Sequence, residues 1–192
     1  MVAFSSNAQT KVVGECSVQF DIEQLQQQAW QKIGQKTIQI KGSQCKTTLT
    51  TPKLVQTLVF SSQEDSAVLL KEIGESKFFQ RIIFPPKNSP SLVTMKKLNT
   101  DSVIQIAGYS CSALQLVFSD QSVYDIIYTN AIIPTIPYFE MAFKDIPGLV
   151  LSYSITTSKG ASIRYTATQV DLSPITLNQF EFNRNDYQII EK

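Results

Sequence analysis

The residue types that commonly carry enzymatic chemistry are unevenly represented in this chain. None of its 192 residues is a histidine, whereas cysteine, lysine, tyrosine and carboxylate residues are all present. Without histidine the chain can form no Ser-His-Asp triad, no Cys-His dyad and no histidine-containing zinc site. Chemistry that uses carboxylates, lysine, tyrosine or cysteine is still open.

Two short segments resemble catalytic motifs. Residues 108–112 (GYSCS) are similar to a nucleophile elbow, but Ser112 stands where the motif needs glycine, and no histidine can act as the base. Ser43 and Lys46 have the S-x-x-K spacing, yet Ser43 falls in a turn between predicted strands and not at the start of a helix. Carboxylates are scattered singly, so no pair indicates glycosidase chemistry. The sequence predicts a protein that is not an enzyme, with no catalytic residue, cofactor or metal site.

Composition restricts the class of partner. The chain has 17 Lys and Arg residues against 16 Asp and Glu residues, a formal net charge of +1, and 43% of its residues are hydrophobic. A net charge near zero is not typical of proteins that bind nucleic acid or anionic membranes electrostatically. The apolar content is sufficient for a packed core. The length predicts a single domain, which we place at residues 9–192.

The first residues predict export. Ser6-Asn7-Ala8 places small residues at the two positions that a signal peptidase reads, and residues 2–4 are apolar. We therefore interpret residues 1–8 as a truncated export-signal remnant, with a disordered leader as the alternative, and expect a periplasmic or secreted protein. Cys16 is not a lipidation site, because Glu15 precedes it where a lipoprotein signal needs a small residue.

The three cysteines allow at most one disulfide bond. Cys16, Cys45 and Cys111 show no C-x-x-C spacing and would make a poor zinc site without histidine. An oxidising compartment would favour a disulfide. We predict Cys16–Cys45 as the pair, since both cysteines lie on early strands that are expected to be neighbours.

Alternating apolar and polar residues predict strands along most of the chain. Residues 12–22 alternate with a period of two, which is typical of a half-buried antiparallel strand. Similar short runs follow, separated by glycine, proline and polar breaks. These runs are residues 37–41, 45–50, 54–61, 67–73, 77–84, 123–129, 149–157 and 162–170, with 91–98 either a strand or a short helix.

The remaining segments are assigned by other signals. Leu25, Ala29 and Ile33 recur every four residues before Gly34, which predicts an amphipathic helix over residues 23–33. The uncharged stretch 102–119 could be read as a membrane helix, but its glutamines and serines favour two strands that meet near Gly108, so no membrane span is predicted. The other expectations are a loop at 133–139, one helical turn within 138–144, and one or two strands in 176–190.

Four further segments resemble a family of exported bacterial proteins, the GLPGLI family. Residues 105–113 (QIAGYSCSA) and 123–129 (VYDIIYT) are similar to one stretch of that family, and residues 38–42 (IQIKG) to another. Residues 145–151 (DIPGLVL) resemble the signature itself, with Ile146 in place of leucine. The resemblance extends over residues 9–187, and the family has no established activity.

This resemblance implies a fold like that of the LolA and LolB lipoprotein carriers. The expected fold is mainly β, a single strongly curved antiparallel sheet (a half-barrel) with a few short lid helices, for which 23–33 and 138–144 are the candidates. In such a fold the apolar concave face accepts acyl chains. The candidate residues of that ligand pocket are Phe20, Trp30, Ile40, Phe118, Phe143 and Tyr153.

Besides a hydrolase that works without histidine, which would need two carboxylates, or a lysine with a serine or cysteine, converging in one cleft, two functions of different classes follow from these expectations. The first is an exported, non-catalytic binding module that holds a lipid or other apolar ligand in the half-barrel cavity. The second is an envelope protein-protein interaction module whose concave face is filled by its own aromatic side chains. A cavity of several hundred Å³ lined by phenylalanine, isoleucine and leucine would favour the first function over the second.

Overall fold

The computed structural model describes residues 10–98, 103–136, 139–156 and 160–190, and most of these residues lie in β-strands. The strands are β1 (Lys11–Val13), β2 (Glu15–Gln26), β3 (Ala29–Lys41), β4 (Gln44–Thr50), β5 (Val55–Ser61), β6 (Ser66–Ile73), β7 (Ser76–Ile83), β8 (Leu92–Leu98), β9 (Ile104–Ile106), β10 (Tyr109–Phe118), β11 (Val123–Thr129), β12 (Ile132–Pro134), β13 (Leu149–Thr156), β14 (Ser162–Asp171) and β15 (Gln188–Ile189). Three short 3-10 turns cover Met141–Phe143, Leu177–Phe180 and Arg184–Asp186.

One large sheet contains most of the strands. Its order is β15-β7-β6-β5-β4-β3-β2-β14-β13-β11-β10-β8, with β9 added to β10, and it does not close into a barrel. Its pairs are antiparallel except for β15 with β7, and a separate small sheet pairs β1 with β12 in parallel. Register shifts interrupt β2, β10, β11 and β14. Because such bulges bend strands, they help the sheet to curve. The predicted mainly β fold with one curved sheet is confirmed.

The predicted strands are confirmed with small shifts at their ends. Residues 91–98, for which two assignments were open, contain β8, a strand. The uncharged stretch contains β9 and β10, and Ala107 and Gly108 turn the chain between them with positive φ angles of 49° and 84°. Among the described residues, no helix is long and apolar enough to cross a membrane.

The predicted helix over residues 23–33 is wrong, because these residues form the tip of the hairpin between β2 and β3. Gln27 and Gln28 make the two-residue turn with φ angles of 48° and 68°, and Leu25 pairs with Trp30 across it. Leu25 lies on one strand of this hairpin, and Ala29 and Ile33 lie on the other, so their four-residue spacing does not indicate a helix. Gly34 does not end a helix. An added Cβ there would lie 2.4 Å from the carbonyl oxygen of Thr50 on the neighbouring strand.

The turn between β2 and β3 offers a stability prediction. Both central residues need positive φ, which Asn-Gly adopts far more readily than Gln-Gln. We expect Gln27→Asn with Gln28→Gly to raise the free energy of unfolding by about 1 kcal/mol. Urea denaturation measures this change. The matched control, Gln27→Ala with Gln28→Ala, should give no gain, and an Asn-Gly variant no more stable than that control would contradict the assigned turn.

Other loop and tail predictions are corrected in part. Residues 133–139 were expected to form a loop, but Ile132–Pro134 is the short strand β12, which pairs in parallel with β1. The predicted helical turn within 138–144 is present as the 3-10 turn Met141–Phe143. The tail, expected to be strands, is mostly two 3-10 turns, and only Gln188–Ile189 adds to the edge of β7.

The segment that resembles the GLPGLI signature has a structural role. Ile146 is buried, and Leu149, Val150 and Leu151 are buried at the start of β13. Gly148 lies so close to β11 that a Cβ would be 2.1 Å from the carbonyl oxygen of Thr129. This close contact fixes the connection between the 3-10 turn and β13, and so positions the turn over the sheet.

Candidate functional site

The concave face of the sheet is filled by the protein's own side chains. Phe143, at the end of the 3-10 turn, is fully buried and packs edge-on against Phe139 at 5.3 Å, Tyr153 at 4.9 Å and Tyr124 at 6.4 Å between ring centroids. Of the six predicted pocket residues, five lie together in this buried cluster: Phe20, Ile40, Phe118, Phe143 and Tyr153. They form a core, and of these five only Phe118 borders one of the two cavities described below.

The sixth predicted pocket residue, Trp30, lies elsewhere. It is half-buried on the β2–β3 hairpin, where the guanidinium of Arg164 lies 4.3 Å from its ring centroid. Arg164 also forms an ion pair with Glu23 at 2.8 Å. Trp30 therefore packs against a cation on the sheet. The prediction that it lines the pocket is wrong, because it assumed a helix over residues 23–33.

The predicted disulfide between Cys16 and Cys45 is not formed in the structure. Both cysteines pair with Ile40 of β3, one from β2 and the other from β4. Two strand spacings put their Cα atoms roughly 10 Å apart, beyond the 4.4–6.8 Å that a disulfide spans. Both are free, buried thiols. Burial raises the pKa of Cys16 to about 11 and that of Cys45 to about 12, which keeps them protonated.

A buried lysine is the most unusual feature of the concave face. Lys36 on β3 has 3% of its surface exposed, among inward-facing apolar neighbours. Its ammonium forms an ion pair with Glu140, which comes from the segment before the 3-10 turn, and donates a hydrogen bond to the Tyr153 hydroxyl at 3.0 Å. Because a buried charge is unfavourable unless it is paired, Glu140 and Tyr153 stabilise the charged form of Lys36.

Aromatic rings complete the surroundings of this ammonium. The nitrogen lies 5.5–5.6 Å from the ring centroids of Phe139, Tyr153 and Tyr165, a distance that permits cation–π attraction. The rings of Tyr153 and Tyr165 stack on one another at 4.3 Å. Burial raises the pKa of Tyr165 to about 12 and holds that of Tyr153 well above its usual value. Both phenols therefore act as neutral groups near neutral pH.

A cavity of about 310 Å³ opens beside this cluster, and we call it the Lys36 cavity. It lies between β3, β4, β5, β14 and the loop that follows β7. Its apolar lining consists of Leu49, Leu58, Phe84, Pro86 and Phe139. Its polar lining consists of Lys36, Thr47, Gln56, Ser89, Glu140 and Tyr165. A ligand with an apolar body and one polar end would fit this arrangement.

A second cavity of about 650 Å³ lies on the other side of Glu140, and we call it the outer cavity. Glu140 and Ser89 border both cavities. The outer cavity is more polar, with Asp120, Lys144 and Asp145 in its lining. Two hydrogen bonds from Ser122 lower the pKa of Asp120, and burial raises the pKa of Tyr124 beside it. The two cavities together form a cleft. Its Lys36 side has most of the apolar wall, and its outer side contains Asp120, Lys144 and Asp145.

Sequence reasoning missed Lys36, Glu140 and Thr47. A signal for Lys36 was available, because it stands at the same alternate position as Ile38 and Ile40 and therefore faces inward. Thr47 is likewise in phase with Cys45 and Leu49 on β4. Glu140 had no such signal, since its partner lies 104 residues away in the chain.

The Lys36–Glu140 ion pair is the main polar feature of the site. Among the described residues, no group of three or more cysteine or carboxylate side chains is placed to hold a metal ion. Ser43, Lys46 and Ser110, from the motif-like segments, line neither cavity. The Lys36–Glu140 pair is held by a tyrosine and aromatic rings beside an apolar wall, which suits recognition of a polar group.

The comparisons with known proteins concern the fold and not the function. The chain is similar to the solved structure of PNGF-II, with a TM-score of 0.54 and 14% identity over 94% of this chain. It spans about a third of that protein, 32% of its length, so the likeness concerns the fold alone. A LolA superfamily protein, NE2245 from Nitrosomonas europaea, matches with a TM-score of 0.38 and 11% identity over 88% of this chain and 90% of that one. No family model and no curated protein matches the chain.

Proposed function

We propose that this protein is a non-catalytic binding module that holds a lipid or other apolar ligand in the Lys36 cavity. The observation that carries the proposal is a cavity of about 310 Å³ whose lining combines leucine, phenylalanine and proline side chains with several polar groups. Its volume falls at the lower end of the range for small-molecule sites, and its mixture of an apolar wall with a few polar groups is typical of them. The ligand thus lies beside the filled core and not in the centre of the half-barrel.

Export from the cytoplasm is part of the same proposal. Its support is the small-residue pattern Ser6-Asn7-Ala8. These residues lie outside the described part of the structure. Fractionation of the native host, followed by N-terminal sequencing of the mature chain, tests it: a mature chain that begins at Gln9 in an extracytoplasmic fraction supports export, and a cytoplasmic chain that retains Met1 contradicts it.

An environment-sensitive dye tests the binding site. We expect N-phenyl-1-naphthylamine to become fluorescent on binding to the purified protein, and Leu58→Trp, which fills the cavity, to weaken binding about tenfold or more. The matched control is Leu177→Trp, because Leu177 is 59% exposed on the tail and lines neither cavity. No dye binding by the wild-type protein, or equal binding by the two variants, would contradict the proposal. Native mass spectrometry of protein isolated from its own host then identifies any bound lipid.

A second candidate function is favoured by the filled concave face. If the protein carries no small ligand, the surface available for contact includes β8, the strand at one edge of the sheet. Val93 is 64% exposed and Met95 is 41% exposed on this strand. Edge strands with exposed apolar residues can pair with another chain. A photo-crosslinker at residue 95 that captures one defined protein in the native envelope, while the same crosslinker at residue 177 does not, would favour this interaction function over ligand binding.

A further inference from the structure

We infer that the Lys36 cavity selects a ligand whose apolar chain ends in a neutral carbonyl group, as in a carboxamide or an ester. This inference rests on the proposed function, since it specifies the ligand of the same site. It follows from the hydrogen-bonding groups that line the cavity, and in particular from which of them have partners within the protein.

Besides the side-chain amide of Gln56, three hydrogen-bond donors in the cavity lining lack a complete set of partners among the described residues. An ammonium has three N–H donors, and that of Lys36 donates to Glu140 and Tyr153, which leaves one over. The hydroxyl of Thr47 is buried, and the only partner near it is the thiol of Cys45, a weak acceptor, so it lacks a strong hydrogen bond in the described structure. The hydroxyl of Tyr165 likewise makes no hydrogen bond to another described residue, and its raised pKa keeps its proton in place.

An oxygen acceptor is the group that these donors require. Leaving a buried donor such as the Thr47 hydroxyl without a strong partner is unfavourable by about 1–3 kcal/mol, so an acceptor placed there by a ligand offsets the cost of taking that acceptor out of water. A carbonyl oxygen has two lone pairs and can accept from two donors at once. A hydrocarbon of the same length would leave all three donors as they are.

The charges in the cavity disfavour a ligand with a charged head group, whether a carboxylate or an ammonium. The ammonium of Lys36 is already neutralised by the carboxylate of Glu140. A ligand carboxylate would add a second negative charge beside Glu140, and a ligand ammonium would add a second positive charge beside Lys36, and like charges at close range repel. A neutral acceptor avoids both penalties. In a primary carboxamide, the N–H groups could also donate to Glu140, so this class should bind best.

The apolar wall sets the size of the chain. The cavity volume of about 310 Å³ is about ten times the volume that one water molecule takes up in the liquid. This corresponds to roughly ten non-hydrogen atoms, the size of octanamide, with the chain along Leu49, Leu58 and Phe84. Longer chains, and the larger dye N-phenyl-1-naphthylamine, would extend past Ser89 towards the outer cavity, which Ser89 and Glu140 also border.

Displacement of bound N-phenyl-1-naphthylamine tests the selectivity. The competitors are octanamide, methyl octanoate, octane and octanoate at about pH 8, where the carboxylic acid is ionised. Relative to the transfer of each compound from water to octanol, we expect octanamide to bind about tenfold more tightly than octane or octanoate, and methyl octanoate to lie between them. If the dye itself does not bind, the proposed function fails. If the dye binds but octanamide shows no advantage, the inference fails while the proposed function stands.

Two conservative variants connect the selectivity to the named groups. Thr47→Val and Tyr165→Phe remove one hydroxyl each and leave Lys36 and its ion pair in place. Their combination should reduce the preference for octanamide over octane to about threefold or less, with the dye affinity of each variant measured first so that the comparison does not depend on it. The matched control is Thr57→Val, since the Thr57 hydroxyl contacts Thr48 and Thr57 does not line the cavity. A double variant with unchanged preference, or a control that loses it, would overturn the inference.

Discussion

Replacing Glu140 by alanine is expected to lower the free energy of unfolding by about 2–3 kcal/mol, because it leaves the ammonium of Lys36 buried without its counter-ion. Lys36 has 4% of its side-chain surface exposed, so water cannot replace the lost carboxylate without a local rearrangement. A fully buried pair would lose about 3–5 kcal/mol on removal of one partner. We expect a smaller loss because the Glu140 side chain is 41% exposed in the native protein. Urea denaturation measures the difference.

A second substitution separates the unpaired charge from the loss of packing. Adding Lys36→Met to Glu140→Ala removes the buried charge and should restore the stability to within about 1 kcal/mol of the wild type. The matched control is Asp21→Ala, which breaks the ion pair with the 51% exposed Lys32 and should lower the stability by about 1 kcal/mol or less. A Glu140→Ala loss no larger than this control, or a double variant with no recovery, would contradict the role assigned to the pair.

The sequence predicts the strands well because a half-buried strand leaves a local record of alternating side chains. Extended from Ile38 and Ile40 towards the N-terminus, the same alternation places Lys36 on the inner face. The turn at Gln27-Gln28 left no such record, since it lacks the Asn-Gly pair typical of a hairpin with two positive φ angles. The apolar residues on the two strands that flank this turn therefore have the four-residue spacing that is typical of a helix. Trp30 was misplaced for the same reason.

Site assembly could be predicted less well, because it depends on contacts between distant segments. The apolar character of Phe20, Phe118 and Tyr153 predicts that they are buried, and they are. Whether they surround an open cavity or a filled core depends on what the segment 139–143 places over them, and alternation along strands contains no information about that. The ion pair between β3 and Glu140 depends on the same segment. The position of this segment therefore decides both the closed core and the adjacent cavity.

The aromatic ring of Phe143 is the part of that segment that closes the concave face. We expect Phe143→Ala to lower the free energy of unfolding by about 3–5 kcal/mol, the range for a buried phenylalanine that leaves a cavity. Three rings would lose their edge-on partner, those of Tyr124, Phe139 and Tyr153. The sheet is expected to hold its shape around the vacancy, since β11 is paired with a strand on each side, β10 and β13.

A vacancy lined by apolar and aromatic groups should bind a small apolar molecule. An engineered cavity of this kind stays dry and accepts benzene. We therefore expect benzene at about ten times its dissociation constant to stabilise Phe143→Ala by about 1.4 kcal/mol, and to leave the wild-type protein unchanged. The measurement is urea denaturation with and without benzene.

The matched control for this experiment is Phe180→Ala on the tail. Phe180 is also buried, at 6% exposure, but it packs outside the cluster that fills the concave face. Its truncation should lower the stability without creating a benzene site in the half-barrel, because the space it leaves lies beside Gln44 and Arg81 near the surface. Stabilisation by benzene in both variants, or in neither, would contradict the view that one aromatic side chain determines whether the half-barrel is closed.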